Sequence, residues 1–325
     1  MAEIFPEDQA LSRALATLRA GEVVALPTET VYGLAADAAN GEAVVRIFET
    51  KRRPRFNPLI AHVASLDMAQ SLASFDPVSL RLAEAFWPGP LTLVLPLREP
   101  AGVHPLVTAG LPTVALRVPR GFARDLIAAF GGPLAAPSAN SSGRISPTSA
   151  AAVMADLGSR IPLIVDGGRT LVGVESTIVK VNDGEAVLLR PGGIAAPDIE
   201  RVLGRPLHRG THGAIAAPGM MASHYAPRAA VRLHASDVVP GEALLAFGPR
   251  RIPGAEGAAR MENLSPAGDL GEAARNLFAM MNALDLPGVP AIAVEPIPAE
   301  GLGEAINDRL ARAAAPRDAG LAQGA

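Results

Sequence analysis

Lys51-Arg52-Arg53-Pro54-Arg55-Phe56-Asn57-Pro58-Leu59 is the stretch on which the reading of this chain turns. Four cations stand in five positions, after an apolar-periodic segment (Val44, Val45, Phe48) and before the run Leu59, Ile60, Ala61, His62, Val63. The first spacing predicts a helix and the second a strand. Pro54 stiffens the corner between them and forbids continuing the helix. A rigid basic loop between a helix and a strand belongs in an α/β protein and is a place to hold phosphates. A solvated charged turn is the other reading. Against it, only Lys51 and Lys180 among the 29 basic residues are lysines, so Lys51 is an exception in a chain that otherwise uses arginine.

Working outward, residues 6–20 read as an amphipathic helix, with Leu11, Leu15 and Leu18 on one stripe and Gly21 as the stop. Residues 23–26 read as a strand, 27–34 as the polar loop at its end, and 41–50 as the helix that delivers the chain into the basic loop. Downstream, a helix over 77–86 stops at Trp87-Pro88-Gly89-Pro90. Strands are predicted at 91–97, 114–118, 134–136, 163–165, 177–181 and 187–189, and helices at 121–130, 148–157 and 197–203. The pairs 91–97 with 114–118, and 177–181 with 187–189, read as antiparallel neighbours. Without strict helix–strand alternation, the expected fold is α/β on a twisted, mixed sheet over residues 1–205. Residues 206–229, rich in His, Gly and Pro, read as a linker whose length hints at function. Residues 230–325 show a β-β-α-β-α pattern, a smaller separate α/β domain. Its first helix, over 270–284, has Asp269 and Glu272 at capping-box spacing.

The totals narrow the function classes. A chain of 325 residues with 49% apolar content has room for two cores. A net charge of -3 argues against a whole-surface nucleic-acid binder, though not against a local basic cleft. With no cysteine there is no disulfide, thiolate chemistry or Cys-ligated metal. Aromatics at 4% weaken any base-stacking platform. The start is acidic (Glu3, Glu7, Asp8), no apolar run approaches a membrane span, and a cytoplasmic location is the expectation.

Polar groups recur at strand ends and in the loops that follow: Thr28, Tyr32, Lys51, Arg53, His62, Thr113, Arg117, Ser138, Asn140, Ser146, Glu175, Ser176 and Arg190. A cation emerging from a strand is costly if buried unpaired, so each arginine should meet an anion, whether an internal acid or a ligand. Thr28 and Ser176 also suit turn-capping, and His62 suits a packed core histidine. Together Lys51, Arg53 and Arg190 offer donors to a polyphosphate, with Ser138 and Asn140 adding short-range hydrogen bonds. No P-loop, dinucleotide fingerprint, His-Glu-x-x-His pair or nucleophile elbow is present. From the residues alone the reading stops at a nucleotide- or phosphate-binding α/β protein.

Five segments carry it further. Pro27-Thr28-Glu29-Thr30-Val31-Tyr32-Gly33-Leu34, Lys51-Arg52-Arg53-Pro54 with Asn57-Pro58-Leu59, Pro137-Ser138-Ala139-Asn140, Glu175-Ser176-Thr177-Ile178 and Leu189-Arg190-Pro191-Gly192 resemble, in this order, the signature of the YrdC-type threonylcarbamoyl-AMP synthases. Pro218-Gly219-Met220 with His224-Tyr225-Ala226-Pro227 is similar to the linker of the longer, two-domain members, and the run from Gly301 to Arg309 to their C-terminal domain. Ala217 and Ala226 stand where many relatives have Ser, a change the backbone turn should survive.

The resemblance implies a YrdC-like sheet, often likened to the double-stranded-RNA-binding topology, with a concave pocket and a smaller Rossmann-like C-terminal α/β domain. It implies condensation of L-threonine, bicarbonate or CO2, and ATP to threonylcarbamoyl-AMP, with pyrophosphate released and Mg2+ beside the triphosphate. It assigns catalysis to Lys51, Arg53 and Arg190. Nucleotide binding falls to the same three with Ser138, Asn140, Ser146 and Tyr225. Threonine binding falls to Thr28, Tyr32, His62, Thr113, Arg117 and Ser176, and no residue is assigned to a metal. The product would pass to a transferase that modifies the tRNA adenosine next to the anticodon; direct contact with tRNA stays open. Two other readings are a non-catalytic double-stranded-RNA or tRNA-binding protein and a carbamoyl-phosphate-dependent carbamoyl transferase subdomain. The small polar residues at strand ends favour a pocket over the first, and the lack of a cysteine-rich zinc region argues against the full version of the second.

Overall fold

Alternation along the central strands sorts their side chains onto two faces of one sheet, and that sorting places the site. The computed structural model describes residues 1–100, 102–210 and 223–316. The chain divides into two compact units, one holding 1–142 and the chain from 146 to the linker, the other 143–145 and the chain from 221 onward.

The strands of the first unit are β1 (Glu3–Pro6), β2 (Val24–Leu26), β3 (Gly33–Asp37), β4 (Ile60–His62), β5 (Leu91–Pro96), β6 (Thr113–Arg117), β7 (Leu134–Ala135), β8 (Leu163–Asp166), β9 (Thr177–Asn182), β10 (Glu185–Arg190) and β11 (His208–Arg209). They form one mixed sheet in the order β1-β8-β2-β3-β7-β4-β6-β5-β9-β10-β11. Its helices are α1 (Glu7–Arg19), α2 (Gly41–Lys51), α3 (Leu66–Leu72), α4 (Pro77–Phe86), α5 (Pro105–Thr108), α6 (Phe122–Phe130), α7 (Ala150–Leu157) and α8 (Ala196–Leu203). Local chemistry starts and stops them. Asn40 caps α2 by accepting from the N–H groups of Glu42 and Ala43, and Arg52 ends it in the left-handed region at φ 51°. A reciprocal Asp76–Ser79 box with Pro77 at the first position opens α4.

Ala61 of β4, Leu91, Leu93 and Leu95 of β5, Val114 and Leu116 of β6, and Val179 and Val181 of β9 enter the main core. The residues between them, Ile60, Val94, Ala115 and Ile178, form a small separate cluster on the opposite face. The register is tight: Ile60 stands opposite Ala115, and His62 opposite Arg117, in the parallel β4–β6 pair.

The α/β class and mixed sheet are as expected, and both predicted antiparallel pairs form, β5 with β6 and β9 with β10. The segment expected to be loop at 27–34 runs instead into β3. Gly-Leu-Ala-Ala-Asp carries no β-branched residue to announce a strand, and pairing with β2 and β7 on its two sides supplies what propensity does not. The expected linker begins with a further strand, since β11 pairs in parallel with β10. Pro218-Gly219-Met220 lies outside the described residues.

In the second unit, β12 (Ala230–Arg232), β13 (Ala243–Ala246), β14 (Met261–Asn263) and β15 (Ala291–Val294) lie in the order β12-β15-β13-β14, every neighbouring pair parallel. Helices α9 (Leu270–Leu284) and α10 (Leu302–Ala314) complete it. Asp269 caps α9 by accepting the Glu272 N–H at 2.6 Å, while the Glu272 carboxylate takes the Ser265 hydroxyl and does not return to the cap. Among the described residues no helix is long and apolar enough to cross a membrane.

Candidate active site

The face of the sheet turned away from the main core carries the polar groups. His62 follows Ile60 by two residues, Arg117 follows Ala115, and Thr92 precedes Val94, so all three share the face of the small apolar cluster. Ser176 precedes Ile178 by two, and its hydroxyl lies 2.7 Å from that of Thr92. Arg190 reaches the same face by a defect. The β9–β10 ladder is regular through Leu188 opposite Val179, but then Arg190, not Leu189, stands opposite Ile178. Leu189 is the extra residue of a bulge. It turns Arg190 from the core parity of Ala186 and Leu188 to the parity of Ile178. There Arg190 Nη2 donates to the Ser176 carbonyl at 2.8 Å and to its hydroxyl at 3.3 Å.

Arg117 and His62 stand side by side. Arg117 Nε donates to the Gly89 carbonyl at 3.3 Å, and Nη2 lies 2.8 Å from Glu29 Oε1, with both side chains 5% exposed. That pair is close but is not aligned as a hydrogen bond. Among the described residues the Nη1 end of the guanidinium has no partner. His62 Nδ1 lies 3.3 Å from the Ile60 carbonyl. A carbonyl only accepts, so Nδ1 carries the hydrogen and Nε2 is left as an acceptor. Burial, and then the charge of Arg117, push the imidazole down to about 3, so the ring is neutral.

The basic loop is more buried than its charge suggests. Lys51 is 1% exposed. Its Nζ donates to the carbonyls of Ser138 and Asn140, and its own carbonyl accepts the Ser142 N–H at 2.8 Å. Burial, and then repulsion from Arg53, hold the Lys51 amine well below the ordinary lysine range. Arg53 donates to the carbonyls of Asn57 at 3.2 Å and Pro58 at 2.8 Å. These two cations therefore shape the loops around them, while Arg52 and Arg55 are the exposed ones. Asp156 fixes the same segment by accepting from the Ser141 N–H at 2.6 Å and the Ser141 hydroxyl. Ser146 donates to Glu175 Oε1 at 2.5 Å.

The remaining candidates have partners of their own. Tyr32 is buried in the main core; its hydroxyl donates to the Gly168 carbonyl at 2.7 Å, and burial pushes its pKa up to about 12. Thr28 donates to the Val31 carbonyl at 2.7 Å, holding its own turn. Thr113 shares a face with Arg117 but lies at the other end of β6, about 13 Å away at ordinary strand rise. Tyr225 belongs to the second unit, where its ring stacks on Phe278 with centroids 5.5 Å apart and Arg309 lies 5.3 Å from its centre. Sequence reasoning passed over two residues. Glu29 lies within the 27–34 segment with no local signal of its own, and Thr92 was readable as a lone polar group between Leu91 and Leu93. Among the described residues no three His, Asp or Glu side chains converge to hold a metal. The arrangement offers an open guanidinium end, a neutral imidazole acceptor and a hydroxyl pair. Such a set is chemically suited to a small carboxylate-bearing molecule, and the further cations to a larger anion.

Comparison with known proteins shows the family. Residues 16–192 match the family model described as "Telomere recombination", and residues 194–315 match "Threonylcarbamoyl-AMP synthase, C-terminal domain". The chain is 42% identical to the threonylcarbamoyl-AMP synthase of Pyrococcus abyssi, over 94% of each protein. It is 41% identical to that of Bacillus subtilis, over 97% of this chain and 96% of the relative. The crystal structure of P. abyssi Sua5 complexed with L-threonine superposes with a TM-score of 0.85 at 39% identity, covering 97% of this chain and 96% of that one.

Proposed function

The chain belongs to the threonylcarbamoyl-AMP synthase family, and from that premise we propose how its first unit carries out ATP-dependent synthesis of threonylcarbamoyl-AMP. The observation that carries the reading is the in-register pair His62–Arg117, with one guanidinium end and one imidazole nitrogen unused. The open end of Arg117 takes the threonine carboxylate by charge-assisted hydrogen bonds. His62 Nε2 accepts from the amino group. A ring that protonates only near pH 3 orients an amine without competing for its proton. The bound L-threonine of the P. abyssi relative supports a subsite of this kind.

The chemistry asks for position and charge more than for a nucleophile. The threonine nitrogen, as the free amine, attacks the carbon of CO2 and gives up its proton, to solvent or to the hydroxide left when CO2 comes from bicarbonate (forming water), to give a carbamate. A carbamate oxygen then attacks the α-phosphorus of ATP, and the bond to the β-phosphate breaks with loss of pyrophosphate. Arg190, Ser138, Asn140 and Ser146 receive the phosphates, and Lys51 and Arg53 hold the receiving loops in a positive field. Thr28 and Tyr32 act through the turns they lock. Mg2+ would enter with the triphosphate and offset part of its charge. The product, a reactive mixed anhydride, then passes to a tRNA-modifying transferase. The test is threonine-dependent pyrophosphate release from ATP in the presence of bicarbonate. Release no greater than that without threonine would sink the reading.

A further inference from the structure

Glu29 is a buried carboxylate with one oxygen hydrogen-bonded and the other in a close ion pair, and it has no role in the reading above. Its Oε1 sits 2.8 Å from Arg117 Nη2, and its Oε2 accepts the Arg120 N–H at 3.1 Å. Its backbone is pinned as well: the Glu29 carbonyl accepts the Val172 N–H at 2.8 Å, and the neighbouring Thr30 carbonyl accepts the Gly173 N–H at 3.2 Å. The carboxylate is thus a fixed point. Together with the Gly89 carbonyl on Nε, it occupies the Nε–Nη2 side of the guanidinium and leaves the Nη1 end.

We propose that Glu29 is the positioning residue of the amino-acid subsite, holding Arg117 so that its remaining end meets the substrate carboxylate. This rests on the reading of Arg117 as the threonine-carboxylate partner. A buried guanidinium without its acid is an uncompensated charge and turns to whatever acceptor is near. With Glu29 in place, two anchors on one side fix the plane of the group. The substrate carboxylate then finds its donors already aimed, and little ordering is left to be done on binding.

The experiment compares Glu29→Asp and Glu29→Gln with the unaltered enzyme by pyrophosphate release. It reads KM for threonine, KM for ATP, and inhibition by L-threoninamide, which keeps the amine and hydroxyl but lacks the carboxylate. Aspartate keeps the charge and draws it back by one methylene, so it serves as the second variant where glutamine, which leaves the buried guanidinium uncompensated, fails to fold. The expected result is a rise of about tenfold in KM for threonine, the loss of roughly one well-placed charge-assisted bond. KM for ATP and the inhibition constant of threoninamide should stay within about twofold. Equal losses for threonine and threoninamide, an unchanged KM for threonine, or unfolding of both variants would overturn the proposal, the last by marking Glu29 as a residue of the fold. Absence of threonine-dependent release in the unaltered enzyme would instead overturn the reading beneath it.

Discussion

His62 shows what burial does to a single side chain. In the unfolded chain the imidazole protonates near pH 6.5, whereas in the fold it stays neutral down to about pH 3. Between those values the unfolded state binds the extra proton, so stability falls as pH falls through this window. We expect His62→Gln to flatten the urea-derived stability profile between pH 6 and 4 by up to about 1.4 kcal/mol per pH unit. A profile parallel to that of the parent would show that the ring is not held neutral. Arg190 is the other informative residue, since it lies on the polar face with one guanidinium nitrogen on Ser176. Arg190→Ala should lower turnover by roughly 100- to 1,000-fold, the usual effect of removing one fixed donor from a site of developing charge. The far-ultraviolet circular dichroism should be unchanged. Near-parental turnover would confine Arg190 to holding the Ser176 turn.

At the scale of elements, the site depends on one irregularity and one close approach. The bulge at Leu189 is what brings Arg190 to the polar face; a regular ladder would direct it toward the core. Two residues on, Gly192 lies against the backbone of Glu175, Ser176 and Thr177 so closely that a Cβ would collide with main-chain atoms, which have no rotamer by which to yield. Gly192→Ala is therefore expected to push the 190–193 turn off the 175–177 segment. The cost should be about 1–3 kcal/mol, typical of overpacking, read as a lower urea midpoint. Threonine-dependent pyrophosphate release should fall with it, because Arg190 and Ser176 separate. A variant with parental stability and activity would show that the two segments can part freely. The five sequence segments near the site were readable because Gly, Pro and small polar residues punctuate strand ends. The bulge was not, since Leu189 differs in no local way from Leu188.

At the scale of the molecule, the two units have separate apolar cores, one set in the first sheet and another around Leu244, Ala246 and Ala293 in the second. We expect two transitions in differential scanning calorimetry. Threonine should raise only the one belonging to the first unit, with about 2.7 kcal/mol of stabilisation at a hundredfold excess over Kd. A shift of both, or of neither, would contradict a threonine subsite confined to that unit.

Local signals were enough for much of this architecture. Pro77 after Asp76, and Asp269 three residues before Glu272, set helix starts that a short window contains. The apolar runs at 91–97 and 114–118 marked strands. The lack of cysteine removed a whole class of chemistry, and five motifs in order named the family. The tertiary structure alone decided which strand face carries the polar groups, how Arg190 comes to join them, that Lys51 is a buried tie to two carbonyls, and that Glu29 is paired with Arg117. The reason is physical. Desolvation, ion pairing and register depend on groups brought together across the sheet from distant parts of the chain, and no local stretch of sequence contains both partners.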